Sequence, residues 1–145
     1  MDYIINEFDI KKAISDRLKK NGYNVVASEI TEGFQKPAVF VSVLPSNVSL
    51  LNSSLEEVTM SIEITYIPKE ETYEHCILTA KALKNLLFYN TLDVGARRIT
   101  ISDIDFDIEK NYILKLSSDI VFDQATSFPA EDYDEMEELE LGGNV

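Results

Sequence analysis

Residues 57–68 read E-V-T-M-S-I-E-I-T-Y-I-P, and the parity of this stretch decides the fold. Val58, Met60, Ile62, Ile64 and Tyr66 share one parity, while Thr59, Ser61, Glu63 and Thr65 share the other. A strand turns successive side chains to opposite faces, so the pattern specifies one apolar and one wet face. A helix, with its period of about 3.6 residues, would scatter the same apolar groups around its axis. Pro68 lacks the N–H that would continue a ladder, and it ends the run. The stretch is the spine of a sheet covered on one side only.

Upstream, residues 38–44 (A-V-F-V-S-V-L) are more continuously apolar and predict a strand covered on both faces, ended by Pro45. Residues 46–54 (S-N-V-S-L-L-N-S-S) then predict the polar, turn-prone tip of a long hairpin, in which Val48, Leu50 and Leu51 are out of keeping. Residues 24–29 predict a short strand around Val25 and Val26, and I-T-E-G-F-Q-K-P at 30–37 is a turn-rich link. Residues 3–20 predict an amphipathic helix with Ile4/Phe8 and Ile14/Leu18 as i,i+4 pairs, stopped by Asn21-Gly22.

Downstream, residues 72–89 predict a second helix, with Tyr73, Cys76, Ile77, Ala80, Leu83, Leu86 and Leu87 on its core stripe. Residues 98–109 predict a strand whose parity slips from Ile99 and Ile101 to Ile104, Phe106 and Ile108, as a bulge near Ser102-Asp103 would produce. After a turn at 109–111, Tyr112, Leu114, Leu116, Ile120 and Phe122 mark a last alternating strand. The predicted order is α-β-β-β-α-β-β. This is an α+β fold, a mostly antiparallel sheet of about five strands with two helices packed on one face. Residues 1–122 form its single domain, and 123–145 an acidic C-terminal tail.

Composition narrows function further. The 145 residues carry a net charge of −13, and eight acids with no base lie in 123–145. The remaining 122 residues hold 18 acids against 13 bases, a net of −5, which argues against a phosphate-binding surface. No apolar run approaches the roughly 20 residues that span a bilayer, and the acidic N-terminus is unlike a signal peptide, which predicts a cytoplasmic protein with no membrane contact. One cysteine excludes an internal disulfide and any cysteine-based zinc cluster.

Sites for chemistry are scarce. His75 and Cys76 are adjacent, so on a helix they diverge by about 100° and cannot act as a dyad. Asp103, Asp105, Asp107 and Glu109 are spaced like the start of a calcium loop, but its sixth and twelfth places hold Ile108 and Leu114. The interleaved apolar residues make these acids the outer face of a strand. No glycine loop that cradles phosphate and no nucleophile elbow is present. We therefore expect no catalytic, metal or cofactor site. Arg97 and Arg98 read as a surface pair. In the tail, Tyr133, Met136, Leu139 and Leu141 punctuate the acids and suggest a segment that docks on a partner.

From residue 30 onward the chain resembles the tail terminator family of phages and prophages of Gram-positive bacteria. The resemblance rests on an E-G-F-x-x-P-x-x-F signature (Glu32, Gly33, Phe34, Pro37, Phe40) and a tyrosine-x-proline corner (Tyr66, Pro68). It extends to the Cys76 helix, to a final hairpin ending at Val121-Phe122, and to a Met-Glu-x-Leu-Glu tail at 136–140. Each motif is short; their order carries the likeness across nearly the whole chain. The 46–54 tip and the arginine pair depart from the pattern and point to a different partner surface.

The resemblance implies a structural virion protein that forms a ring, expected to be a hexamer. Such a ring caps the tail tube, stops its polymerisation and presents the joining surface to the neck or head. It implies tube protein as partner, with sheath and neck proteins as further candidates. DNA would pass through the lumen without specific binding, and the chain would reside in the virion tail after assembly in the host cytoplasm. Leu50, Leu51, Thr59, Ser61, Glu63, Arg97, Arg98, Met136, Leu139 and Leu141 are the candidate subunit or partner contacts. The alternatives are a neck or head-completion connector and, from a different class, an acidic DNA mimic that inhibits a nucleic-acid enzyme.

Overall fold

The computed structural model describes residues 5–27, 29–88, 91–95 and 97–126. The elements run α1 (Glu7–Lys20), β1 (Ala38–Asn52), β2 (Leu55–Ile67), α2 (Tyr73–Phe88), β3 (Leu92–Val94), β4 (Arg97–Ile99), β5 (Asp105–Ile108) and β6 (Leu114–Ala125). Four of the strands form an antiparallel sheet in the order β1-β2-β6-β5, and β3 pairs with β4 as a separate hairpin. The fold is α+β, as expected, though the main sheet has four strands and the element order is α-β-β-α-β-β-β-β.

β2 is the central organiser that its alternation specifies. Val58, Met60, Ile62, Ile64 and Tyr66 are all buried. On β6 they face Phe122, Ile120, Ser118, Leu116 and Leu114 in register, and on β1 Tyr66, Ile64 and Ile62 face Val39, Val41 and Val43. Ile10, Ile14 and Leu18 of α1 and Leu83 and Leu87 of α2 join these residues in one core, so both helices lie on that face. Leu92, Val94, Ile99 and Ile101 extend the same core under the β3–β4 hairpin. Among the described residues the opposite sheet face carries no helix.

Local signals set the ends of α1. Asn6 caps it, accepting from the Asp9 N–H at 3.0 Å, while the Asp9 carboxylate accepts from the Asn6 N–H at 3.0 Å. At the other end Gly22 takes φ +90. The Tyr23 N–H then reaches the Leu18 carbonyl and the Gly22 N–H the Lys19 carbonyl, a Schellman ending. Phe8, expected on the core stripe, is instead 72% exposed, because the buried face runs through Ile10, Ile14 and Leu18. Its partner Ile4 lies outside the described residues.

Four further expectations are corrected. The described residues of the 24–29 stretch do not form a strand; Val25 makes one isolated parallel bridge to Val39. Pro45 does not end β1, which continues to Asn52 with a register shift between Pro45 and Asn47. An edge strand tolerates proline at such an irregularity, because the missing N–H costs only one ladder position. The 46–54 stretch is therefore mostly strand, turning at Ser53-Ser54, where the Asn52 side chain accepts from the Ser54 N–H at 2.9 Å. Last, the slip in 98–109 is no bulge but a break between β4 and β5, which belong to different sheets. β6 runs to Ala125, past the 122/123 boundary drawn from the sequence.

Candidate assembly surface

The outward parity of β2 makes a sheet face built of hydroxyls and acids. Thr59, Ser61 and Glu63 lie opposite Asn47, Leu44 and Ser42 on β1, and opposite Val121, Asp119 and Ser117 on β6. Glu63 is exposed, Thr59 and Ser61 half-buried, and the Ser61 hydroxyl donates to Asp119 Oδ1 at 2.8 Å. Asp105 and Asp107 extend this face onto β5 beside Ser117 and Lys115. Lys115 is its one base among the paired positions, and it reaches Glu109 at 2.8 Å. That hydrogen bond first, then the charges of Glu109, Glu63 and Asp107, holds the lysine above its ordinary value. Two apolar side chains interrupt the polar field: Leu44, 62% exposed, and Val121, 57% exposed.

Beyond Pro45 the β1–β2 hairpin extends as an arm. All of 44–52 is exposed, including Val48, Leu50 (69%) and Leu51 (49%). Val48 pairs with Val58 and Leu50 with Glu56, while Leu51 falls at a second register shift before Asn52. The leucines singled out in the sequence are thus presented to solvent at the tip of a sheet extension.

Arg97 and Arg98 separate in the structure. Arg97 lies over the Phe122 ring with its guanidinium carbon 5.0 Å from the centroid, and its Nη1 donates to the Asp123 carbonyl at 2.7 Å. It clamps the β3–β4 hairpin to β6. Arg98 points away and pairs with Asp93 at 3.4 Å. Met136, Leu139 and Leu141 lie outside the described residues.

At the far end of the sheet the family-type signature has a physical use. Gly33, at φ +78, turns the link so that Phe34 meets Phe40 edge-on, with ring centroids 5.2 Å apart and planes at 84°. The Val26 N–H to Val39 carbonyl and Val39 N–H to Asn24 carbonyl bonds, both 2.8 Å, cover the first part of the β1 edge.

His75 has a partner that adjacency reasoning missed. Its Nε2 is 2.8 Å from the Tyr66 hydroxyl, and its Nδ1 is 3.9 Å from the Glu70 carboxylate. The order carboxylate–imidazole–hydroxyl invites a catalytic reading, but Tyr66 is buried, and burial raises its hydroxyl pKa against the lowering effect of Thr79. The 2.8 Å contact latches β2 to α2. Cys76 is a buried thiol raised by desolvation, and it donates to the Tyr112 carbonyl at 3.2 Å. Among the described residues no group of three or more His, Cys, Asp or Glu is placed to hold a metal ion.

One cleft opens between α2 and β5, with a volume of about 560 Å³. Tyr73, Ile77, Ala80, Phe106, Ile108 and Leu114 give it an apolar floor, with Lys81, Lys84 and Asp107 around them. Tyr73 and Phe106, both expected in the core, are 62% and 44% exposed as parts of its wall. Sequence reasoning missed this cleft because its sides come from separate segments.

Fold and surface together define a class: a two-layer α+β domain with a polar, acid-bearing outer sheet face and an exposed apolar hairpin end. Residues 9–129 match the phage tail terminator proteins, and the chain belongs to that family of structural virion proteins. It is a phage tail component, of a family that acts with other tail components. No curated protein matches the sequence. One solved structure, known only by a sequence label, overlays with a TM-score of 0.48 at 11% identity, covering 87% of this chain and 99% of the other.

Proposed function

We propose that this chain closes into a ring, a hexamer by the family likeness, on the last ring of the tail tube. There it stops tube growth and offers its far surface to the neck. A closed ring needs two different patches on each subunit whose contacts close by rotation. The observation that carries the reading is the exposed hairpin arm, whose Leu50 and Leu51 side chains lie outside the buried core. Thr59, Ser61 and Glu63, with the acids beside them, suit a lumen wall along which DNA slides, since like charges repel. Arg98, exposed on β4 beside the Arg97 clamp, is a further contact, and Met136, Leu139 and Leu141 supply a docking segment for tail or neck proteins.

Electron microscopy of the purified protein, alone and mixed with tail tubes, tests this reading. Closed rings, found on tube ends and blocking further tube growth, are the expected result. A chain that stays monomeric at high concentration and leaves tube growth unaltered overturns it.

A further inference from the structure

The arm and the α2–β5 cleft lie at opposite ends of the sheet. Register fixes this: the arm tip sits at Asn52 and Leu55, opposite Ala125 of β6, whereas β5 pairs with Leu114 to Ser117, at the end of β6 nearest Tyr66. The hairpin belongs to the β1 side of the sheet and the cleft to the β5 edge, so one chain cannot fill its own cleft with its own arm. Each is nevertheless an exposed apolar surface, and both are retained in a chain of net charge −13.

We propose that the tip of the β1–β2 hairpin, led by Leu50 and Leu51, docks in the α2–β5 cleft of a neighbouring copy of this chain. The occupant is a second copy because projection and recess are complementary and differently placed, the arrangement that yields head-to-tail association. At about 560 Å³ the cleft lies within the roughly 300–1,000 Å³ of recesses that take up apolar groups, and it accommodates the two leucines. Charge agrees: Glu56 and Glu57 stand beside the tip, opposite Leu50 and Ser49, and Lys81 and Lys84 line the cleft. Among the described residues β5 is the outer strand of the sheet, and its free backbone edge lies beside the cleft, where a neighbour's extended arm can meet it. This inference rests on the ring reading and names the contact that would close the ring.

The test is cross-linking of a Leu50→Cys/Lys81→Cys double variant of the full chain under mild oxidation, with micrographs of the same sample. The expected result is a ladder of covalent oligomers on a denaturing gel that ends at the ring number, while each single variant runs as monomer. Cys76 is buried and stays out of the reaction. Rings without a ladder overturn the docking and leave the ring reading intact. Absence of both overturns both, and a ladder of open chains supports the docking while sinking the ring. A ladder that forms only after deletion of 127–145 assigns the cleft to the chain's own C-terminal segment and overturns the proposal. Independently, Leu50→Asp/Leu51→Asp, at exposed positions, should weaken self-association at least roughly tenfold by sedimentation with no change in melting temperature. Unchanged association overturns the docking.

Discussion

Residues 38–43 and 44–52 belong to the same strand, yet they live in different surroundings. In the first part Val39, Val41 and Val43 are buried in the helix-covered core, Phe40 is met by Phe34, and Val25 bridges the edge. In the second every residue is exposed while the pairing with β2 continues. Backbone hydrogen bonding is therefore common to both, and what distinguishes them is burial. Stability resides in the first part. The second contributes little to the monomer, so its apolar side chains are free to serve an interface.

The sharpest way to break the comparison is at the spine. Ile62→Asp would bury an unpaired carboxylate at a position 2% exposed, at a cost of several kcal/mol that rivals the whole stability of a domain this size, about 5–15 kcal/mol. Circular dichroism should show an unfolded chain, while Glu63→Lys, one residue along on the wet face, should melt like the parent. Equal effects would refute the assignment of faces.

A smaller contrast compares leucines. Leu116→Ala, in the core, should cost about 2–5 kcal/mol in denaturant unfolding. Leu50→Ala, on the arm, should stay within about 0.5 kcal/mol of the parent. If Leu50→Ala proved as damaging as Leu116→Ala, the arm would belong to the core.

The smallest effect concerns pH. Cys76, Tyr66 and Tyr23 are raised by burial, and Lys115 by Glu109, so each holds its proton more tightly folded than unfolded. Where the folded state binds more protons, stability falls as pH rises. Their contribution is complete below the ordinary thiol value of 9.0 and declines as pH rises through it toward the folded values. The urea midpoint should be flat across these groups near neutrality and fall above about pH 9. Cys76→Ala should delay the onset. A midpoint that rises in that range would contradict the burial of the thiol.

What was legible in the sequence follows from range. β2 and the core stripes of α1 and α2 show in local periodicity, because each buries one face against whatever lies beneath. The oddity of Leu50 and Leu51 was equally plain, since apolar residues in a polar tip need no partner to be noticed. Hidden features all depend on distant residues. Whether β1 passes Pro45 is decided by β2, whether Val25 makes a strand by the room left at the β1 edge, and whether Phe106 is core by α2. The same holds for His75, whose partner Tyr66 is an element away, and for the cleft. Parity in 98–109 did register a discontinuity, but a bulge and a change of sheet leave the same mark.

The placement of β2 between β1 and β6 also orders events in time. The β1–β2 hairpin is complete once Ile67 has been synthesised, whereas β6 ends at Ala125. At roughly 5–20 residues per second, the apolar row from Val58 to Tyr66 therefore waits on the order of seconds for its second neighbour. Until then the nascent hairpin offers one unpaired β2 edge and an unclosed greasy face. The register shifts beside Pro45 and before Asn52 leave β1 a poor template for a neighbouring chain during that interval.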